Sequence, residues 1–523
     1  MKKGKLHNSG KFYQLGLLFM LLFTVSQLHA RQLWTYNFGI DHPWNGNYTW
    51  TTETGGGDID LDNPVYPQAG DTLYIVGANT RVYLVADVDL TNLTIIIENG
   101  ALDLVTYSLI QTVTKLSGTG SLMVNRSYYP TITTDELRQA GGGTVEYYDF
   151  TGTIPTSPTT YFNLTLSGSS TQLTVNSDLD ILGDFSVSRT GVDPFTALFG
   201  GDPTPRTITV NGDVSIDSDA TLGVGSFNAV HTLELFGNLY NEGTLFLSNG
   251  VQYSTSATGA ANLYFKGASN TEFSGSGSQI VYRMIVDKGS DQTYSLSCNP
   301  ENLSLYYPTS GGATDKAIRL INGTLNLGDN ISIAKLTDEE TAVSSSNFVI
   351  PANAHLKISG ATVDITDDDG DETNTGLTIQ GKLTITDGTL STEKSDGITL
   401  DGGQLFIQGG TATFAQISST GSSTLNISGG TTTLNNIASG NPNTGLTSLS
   451  LLNASDVFSM SGGTLNIYPT TTGVVAIGVS SYTASGGTVN IYTDGTNAIA
   501  STAPFYNLSI LNGGTLSLET VSG

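Results

Sequence analysis

Residues 461–467 read SGGTLNI, residues 485–491 SGGTVNI and residues 512–518 NGGTLSL. After each glycine pair apolar and polar positions alternate, so Leu465 and Ile467 face one side of a strand while Thr464 and Asn466 face the other. With DGGQLFI and SGGTTTL, the first glycines of these units are Gly402, Gly429, Gly462, Gly486 and Gly513. Intervals of about 24–33 residues belong to solenoid repeats. Further alternating stretches lie between them, at 376–391 (GLTIQGKLTITDGTLS) and 423–437 (STLNISGGTTTLNNI). Strands broken by glycine also occur in sandwiches and antiparallel meanders. Here they are too short, too alike and too numerous for one two-sheet sandwich. Coiling the chain stacks equivalent strands in parallel register, with Leu, Ile and Val inside and Thr, Ser and Asn ladders outside. Glycine pairs suit the corners, which need positive φ. The pattern predicts an all-β, right-handed parallel β-helix, that is, a β-solenoid.

Upstream the same alternation is less regular, as in residues 70–104 and 115–125. A second marker, Asn-Leu-Ser/Thr-Ile/Leu, recurs at Asn92, Asn163, Asn302 and Asn507. Its separations approach multiples of about 69, or three rungs of about 23 residues. At about 22 residues per rung the chain makes roughly 20 rungs, a rod on the order of 100 Å long. Residues 31–63 fall outside the repeat and hold Trp34, Trp44 and Trp50. A stacked sheet exposes unpaired N–H and C=O groups at its end, so this segment is expected to be an N-terminal cap. Its aromatics have an alternative use as a platform for stacking sugars. The expected organisation is a signal peptide over 1–30, the cap over 31–63, less regular β-helix modules over 64–350, and regular Gly-Gly-Thr repeats over 351–523. The repeat pattern stops at Gly523 without a cover, which leads us to expect a truncated C-terminus.

Composition changes the picture in three ways. Lys2, Lys3, Lys5 and Lys11 precede an apolar stretch at 15–25, and LHA ends at Ala30, the arrangement of a secretory signal cleaved near that residue. That stretch falls well short of the about 20 residues of a membrane span, and no later segment is longer, so no membrane span is expected. The location expected is extracellular or the outer cell surface. The chain carries 20 Lys and Arg against 46 Asp and Glu, a net charge of −26. No basic stripe exists to hold a phosphate backbone, which excludes nucleic acid as a partner. Cys298 is the single cysteine, so no intramolecular disulfide is possible; SLSCNP reads as a strand end with a buried thiol.

Residues 64–75 (PVYPQAGDTLYI), the Asn-Leu-Thr-Ile units, residues 141–150 (GGGTVEYYDF), 281–296 (VYRMIVDKGSDQTYSL), 316–337 (KAIRLINGTLNLGDNISIAKLT) and 348–365 (FVIPANAHLKISGATVDI) resemble large secreted β-helix proteins of the Bacteroidota. The resemblance covers most of the chain and carries no catalytic residue. It implies an adhesin-like surface or secreted rod that passes through the type IX export machinery. That route implies a C-terminal sorting domain, which is expected to lie beyond a truncated end.

Parallel β-helices also host polysaccharide lyases and hydrolases, so chemistry must be sought in a site. The SDGI within KSDGITLDGG, with Asp396 and Asp401, resembles part of a hydrolase motif, but a paired Asp-Asp, Gly-His-Gly and Arg-Ile-Lys are missing. Arg283, Lys288, Arg319 and Lys335 are the nearest approach to a lyase's basic group, and Arg283 and Lys288 read equally as solvated strand ends. His42, His231 and His355 stand apart, which disfavours a triad or a bound metal. In DITDDDGDET, Asp367, Asp369 and Asp371 offer oxygens for weak calcium binding, although Ile365 and Gly376 would occupy the first and last ligand positions of an EF-hand loop. An acidic surface turn is the plainer reading; no cofactor is expected other than such weakly held calcium.

The function expected is a non-enzymatic adhesin-like rod whose outer Thr, Ser and Asn rows engage glycans or cell-surface components through many weak contacts. A β-helical polysaccharide lyase or glycoside hydrolase is one alternative. A passive structural spacer is the other.

Overall fold

The computed structural model describes residues 31–36, 41–47, 49–52, 54, 64–249, 259–305, 317–333, 336, 348–365, 376–392, 397–435, 447–468, 473–493 and 495–519. Among these, every regular element is a strand and none is a helix. The chain divides into two compact units, residues 1–148 with 160–164, and residues 149–159 with 165–523.

In the first unit, Gln32–Thr35, Thr72–Ile75, Thr94–Ile97, Val113–Ser117 and Ile132–Asp135 lie side by side in parallel and in chain order. Asp41–Pro43, Arg81–Tyr83, Ala101–Asp103, Ser121–Val124 and Thr144–Tyr148 do the same in a second sheet. Each coil thus adds one strand to each sheet. Alternation turns Leu33, Leu73, Ile95 and Leu116 into one buried column, and Val82, Leu102, Leu122 and Val145 into another. Trp50–Thr51 pairs antiparallel along the free side of Gln32–Thr35. The three indoles are buried: Trp34 stacks on Tyr74 at 4.9 Å, and Trp44 meets Trp50 edge-on at 5.4 Å. Trp50 Nε1 donates to the Trp44 carbonyl at 2.8 Å. Rings packed in this way have no open face for a sugar.

In the second unit a coil consists of three strands. Ala220–Val224, Val230–Leu235 and Leu239–Asn241 are followed by Thr244–Phe246, Ala260–Lys266 and Thr271–Ser274, then by Ser278–Val281, Arg283–Asp287 and Ser295–Cys298. Each pairs in parallel with its counterpart one coil earlier. This is β-solenoid stacking, and it disposes of the sandwich for these residues, because consecutive strands there would pair antiparallel. Inner positions form continuous columns, such as Leu383, Leu405, Leu425 and Phe458. Another runs Leu390, Ala412, Thr432, Leu465 and Val489. Thr432 is the polar member; it is fully buried and its hydroxyl has no partner.

The glycine pairs divide their labour. At 429–430, 462–463 and 486–487 the second glycine has positive φ, with Gly463 at 72°. The first lies against the coil below: a Cβ on Gly429 would stand 2.1 Å from the Gln408 carbonyl oxygen, and one on Gly462 2.4 Å from that of Ser428. One glycine makes the turn and the other permits close stacking. Gly402 and Gly513 carry the positive φ of their own pairs and belong to other corners, so the five units do not share one column. Asn302 and Asn507 likewise introduce strands of different sheets, so their separation is not a whole number of coils.

Candidate functional site

A cluster of outward charged and aromatic side chains stands on the second unit, on the sheet containing Thr207–Val210, Val230–Leu235, Ala260–Lys266, Arg283–Asp287 and Ile318–Leu327. Inward positions Leu233, Leu263, Met284 and Ile318 are sealed in one column, which fixes the outward residues between them. Glu234, Tyr264, Ile285 and Arg319 stand in one outer column, and Lys266, Asp287 and Asn322 in the next.

Lys266 Nζ lies 3.3 Å from Glu234 Oε1, 4.9 Å from the centre of the Tyr264 ring and 5.8 Å from that of Phe236. The ammonium therefore bridges a carboxylate and two aromatic faces. Tyr264 donates its hydroxyl to Asp287 Oδ2 at 3.0 Å, and Asn322 Nδ2 donates to Asp287 Oδ1 at 2.6 Å. Desolvation, with the Asp287 hydrogen bond and charge added, pushes the Tyr264 hydroxyl up to about 12. It thus stays a neutral donor. Arg319 is exposed at the rim. Cation, carboxylates, amide and phenol together supply the directed hydrogen bonds and apolar surface by which a hydroxylated ligand is held. Both carboxylates are already engaged by protein donors, which suits binding better than proton transfer.

Among the basic residues singled out from the sequence, Arg283 and Arg319 stand on this sheet, and Lys335 lies outside the described residues. Lys288 is not a solvated strand end. It is fully buried, its Nζ donates to the Lys266 carbonyl at 2.7 Å, and burial lowers its pKa to about 8. Its position one residue after the outward Asp287 puts it inside the corner.

Cys298 is fully buried, and desolvation pushes its thiol up to about 12, which makes it inert. His42 is buried in the first unit, and burial lowers its pKa. His231 stacks on Phe199 and accepts the Arg206 N–H on Nδ1 at 3.1 Å. His355 sits between the hydroxyls of Thr324 and Thr384, at 3.3 and 2.9 Å, with its pKa lowered to about 4 by burial and then by Lys382 and Lys357. Asp401 accepts from Gln380 Nε2 at 3.0 Å and Thr420 Oγ1 at 3.2 Å. Its companion Asp396 lies outside the described residues, as do Asp367, Asp369 and Asp371. Among the described residues no three His, Cys, Asp or Glu side chains are grouped to hold a metal, and no helix is long and apolar enough to cross a membrane.

The Tyr264 cluster was not visible in the sequence, because Glu234, Lys266, Asp287 and Asn322 come from four separate coils. The faint signal was the local density of aromatic and charged residues in LYFK, RMIVDK and IRLIN. No protein-family model, curated protein or solved structure matches this chain.

Proposed function

We propose that the chain is an adhesin-like, non-enzymatic, right-handed β-helix, secreted or displayed on a cell surface after cleavage near Ala30. Residues 31–63 act as the N-terminal cap, a reading supported by the strands and buried indoles that flank Thr72–Ile75. Glycan contact centres on the Tyr264 face. The observation that carries this is the alignment of Glu234, Tyr264, Lys266, Asp287 and Asn322 on adjoining coils whose inner faces are sealed, which gives a pre-organised set of donors and acceptors.

A glycan array probed with the purified chain tests it. Binding is expected to be weak for single sites and strong at high display density, and lost in Tyr264→Ala and Lys266→Ala. A wild-type chain that binds no glycan leaves the spacer as the better description. Cleavage of a polysaccharide, abolished by Glu234→Gln or Asp287→Asn, would move the assignment to an enzyme.

A further inference from the structure

Away from the Tyr264 face, the second unit carries two polar columns side by side. Thr362, Thr389, Thr411, Thr431, Thr464 and Thr488 are in register on successive coils. Two positions along the same strands, Ser391, Thr413, Thr433, Asn466, Asn490 and Ser509 form the second column. The first-column threonines are exposed or half-buried. Among the described residues, none of their six hydroxyls has a hydrogen-bond partner. Some threonines elsewhere on this unit are committed: Thr324 and Thr384 hold His355, Thr386 donates to the Ile358 carbonyl, and Thr502 donates to that of Val479.

The first column is a row of hydroxyls, each beside its own methyl, repeating at about 4.8 Å between coils. The second stands about 6.6 Å away along the strand; Thr413 and Thr433 repeat the pairing of hydroxyl and methyl, Ser391 and Ser509 carry a hydroxyl alone, and Asn490 Nδ2 donates to Asn466 Oδ1 at 2.9 Å. No residue of either column from Thr389 to Ser509 is charged, on a chain with 46 Asp and Glu. Charged groups hold their own hydration shells and would break an ordered water layer. Unpaired hydroxyls alternating with methyls anchor one, since each methyl orders the water that the hydroxyls then bind. Sugars fit this face less well. Its aromatic neighbours, Tyr468 and Tyr492, lie on each other with ring centres 4.4 Å apart and planes 6° apart, so their facing surfaces are closed to a pyranose.

We infer that the threonine column and the uncharged polar column beside it, from Thr389 to Ser509, bind the ordered water of ice crystals. This goes beyond glycan contact and uses a different face.

Ice recrystallisation and crystal shaping in the presence of the purified full chain test it. The wild type is expected to arrest recrystallisation and to facet growing crystals. Thr431→Tyr/Thr464→Tyr, with two bulky groups in the threonine column, is expected to lose both effects while its circular-dichroism melt is unchanged. If that pair unfolds the coil, Thr488→Lys asks the same question by placing a charge on the face. Val192→Tyr, at a fully solvated position, and Tyr264→Ala are expected to behave as wild type towards ice. A wild-type chain that leaves ice growth unaltered overturns the inference, as does a folded column variant that keeps full activity. Retention on crystalline cellulose or chitin without any effect on ice overturns it too, and assigns the face to a solid polysaccharide.

Discussion

Replacing Lys288 with Met should stabilise the second unit at neutral pH. The ammonium has three donors and one acceptor, the Lys266 carbonyl, and the side chain has no exposed surface. Burial lowers its pKa from 10.5 to about 8. At about 1.4 kcal/mol per pH unit, holding the charge at pH 7 costs about 3 kcal/mol relative to the unfolded chain. Met fills a similar volume without a charge but forfeits one hydrogen bond, about 1 kcal/mol, leaving a net gain of about 2 kcal/mol. Between pH 8 and 10.5 the folded lysine is neutral while the unfolded one is charged. The unfolded state then binds more protons, so wild-type stability climbs with pH until it is complete above 10.5. The advantage of Lys288→Met should therefore be largest below pH 8, vanish at about pH 9.5 and be reversed above it. Native-state hydrogen exchange of the amides in Arg283–Asp287 and Ser295–Cys298, followed at several pH values, reads this locally, which suits a solenoid whose coils open in part. A variant less stable at pH 7, with a deficit that does not change with pH, would refute the reasoning.

Thr432→Val should stabilise the unit by about 1–2 kcal/mol, because it removes a buried hydroxyl without a partner while keeping the shape; a lower urea midpoint would count against this. Gly429→Ala should cost about 1–3 kcal/mol by driving a methyl into the Gln408 carbonyl, seen as faster exchange in Thr431–Leu434 and in the coil below. In the first unit, buried Asp103 accepts from Arg81 and from Tyr148 Oη at 2.8 Å, so Asp103→Ala should destabilise it by about 3 kcal/mol in a urea melt. The folded pKa of His355, about 4, lies below its ordinary 6.5, so its contribution is present above 6.5 and is lost as pH falls through 4. His355→Gln should flatten the acid side of the melting profile over that window.

The period-two alternation made the strands legible, and the glycine pairs made the corners legible, because both are local. Leu465 and Ile467 are buried and Thr464 and Asn466 face outward, as their spacing requires. What local pattern does not carry is which strand meets which. Gly402, Gly462 and Gly513 look equivalent in sequence yet turn different corners. The Tyr264 cluster and the burial of Lys288 depend on that pairing. Lys288 follows a strand of alternating character, and only the path of the corner decides that its side chain turns inward.

Strand register in this chain is independent of corner length. Thr411 pairs with Thr431 and Thr431 with Thr464, so the second step spends many more residues than the first and still delivers a threonine to the same column. The surplus lies in the segment between Leu434 and Leu449. Strands that keep register across connections of such different length make the sequence between Leu434 and Leu449 a natural insertion point. Guest peptides, affinity tags or small folded modules placed there should leave the threonine column at its spacing, which makes this protein a scaffold for grafting.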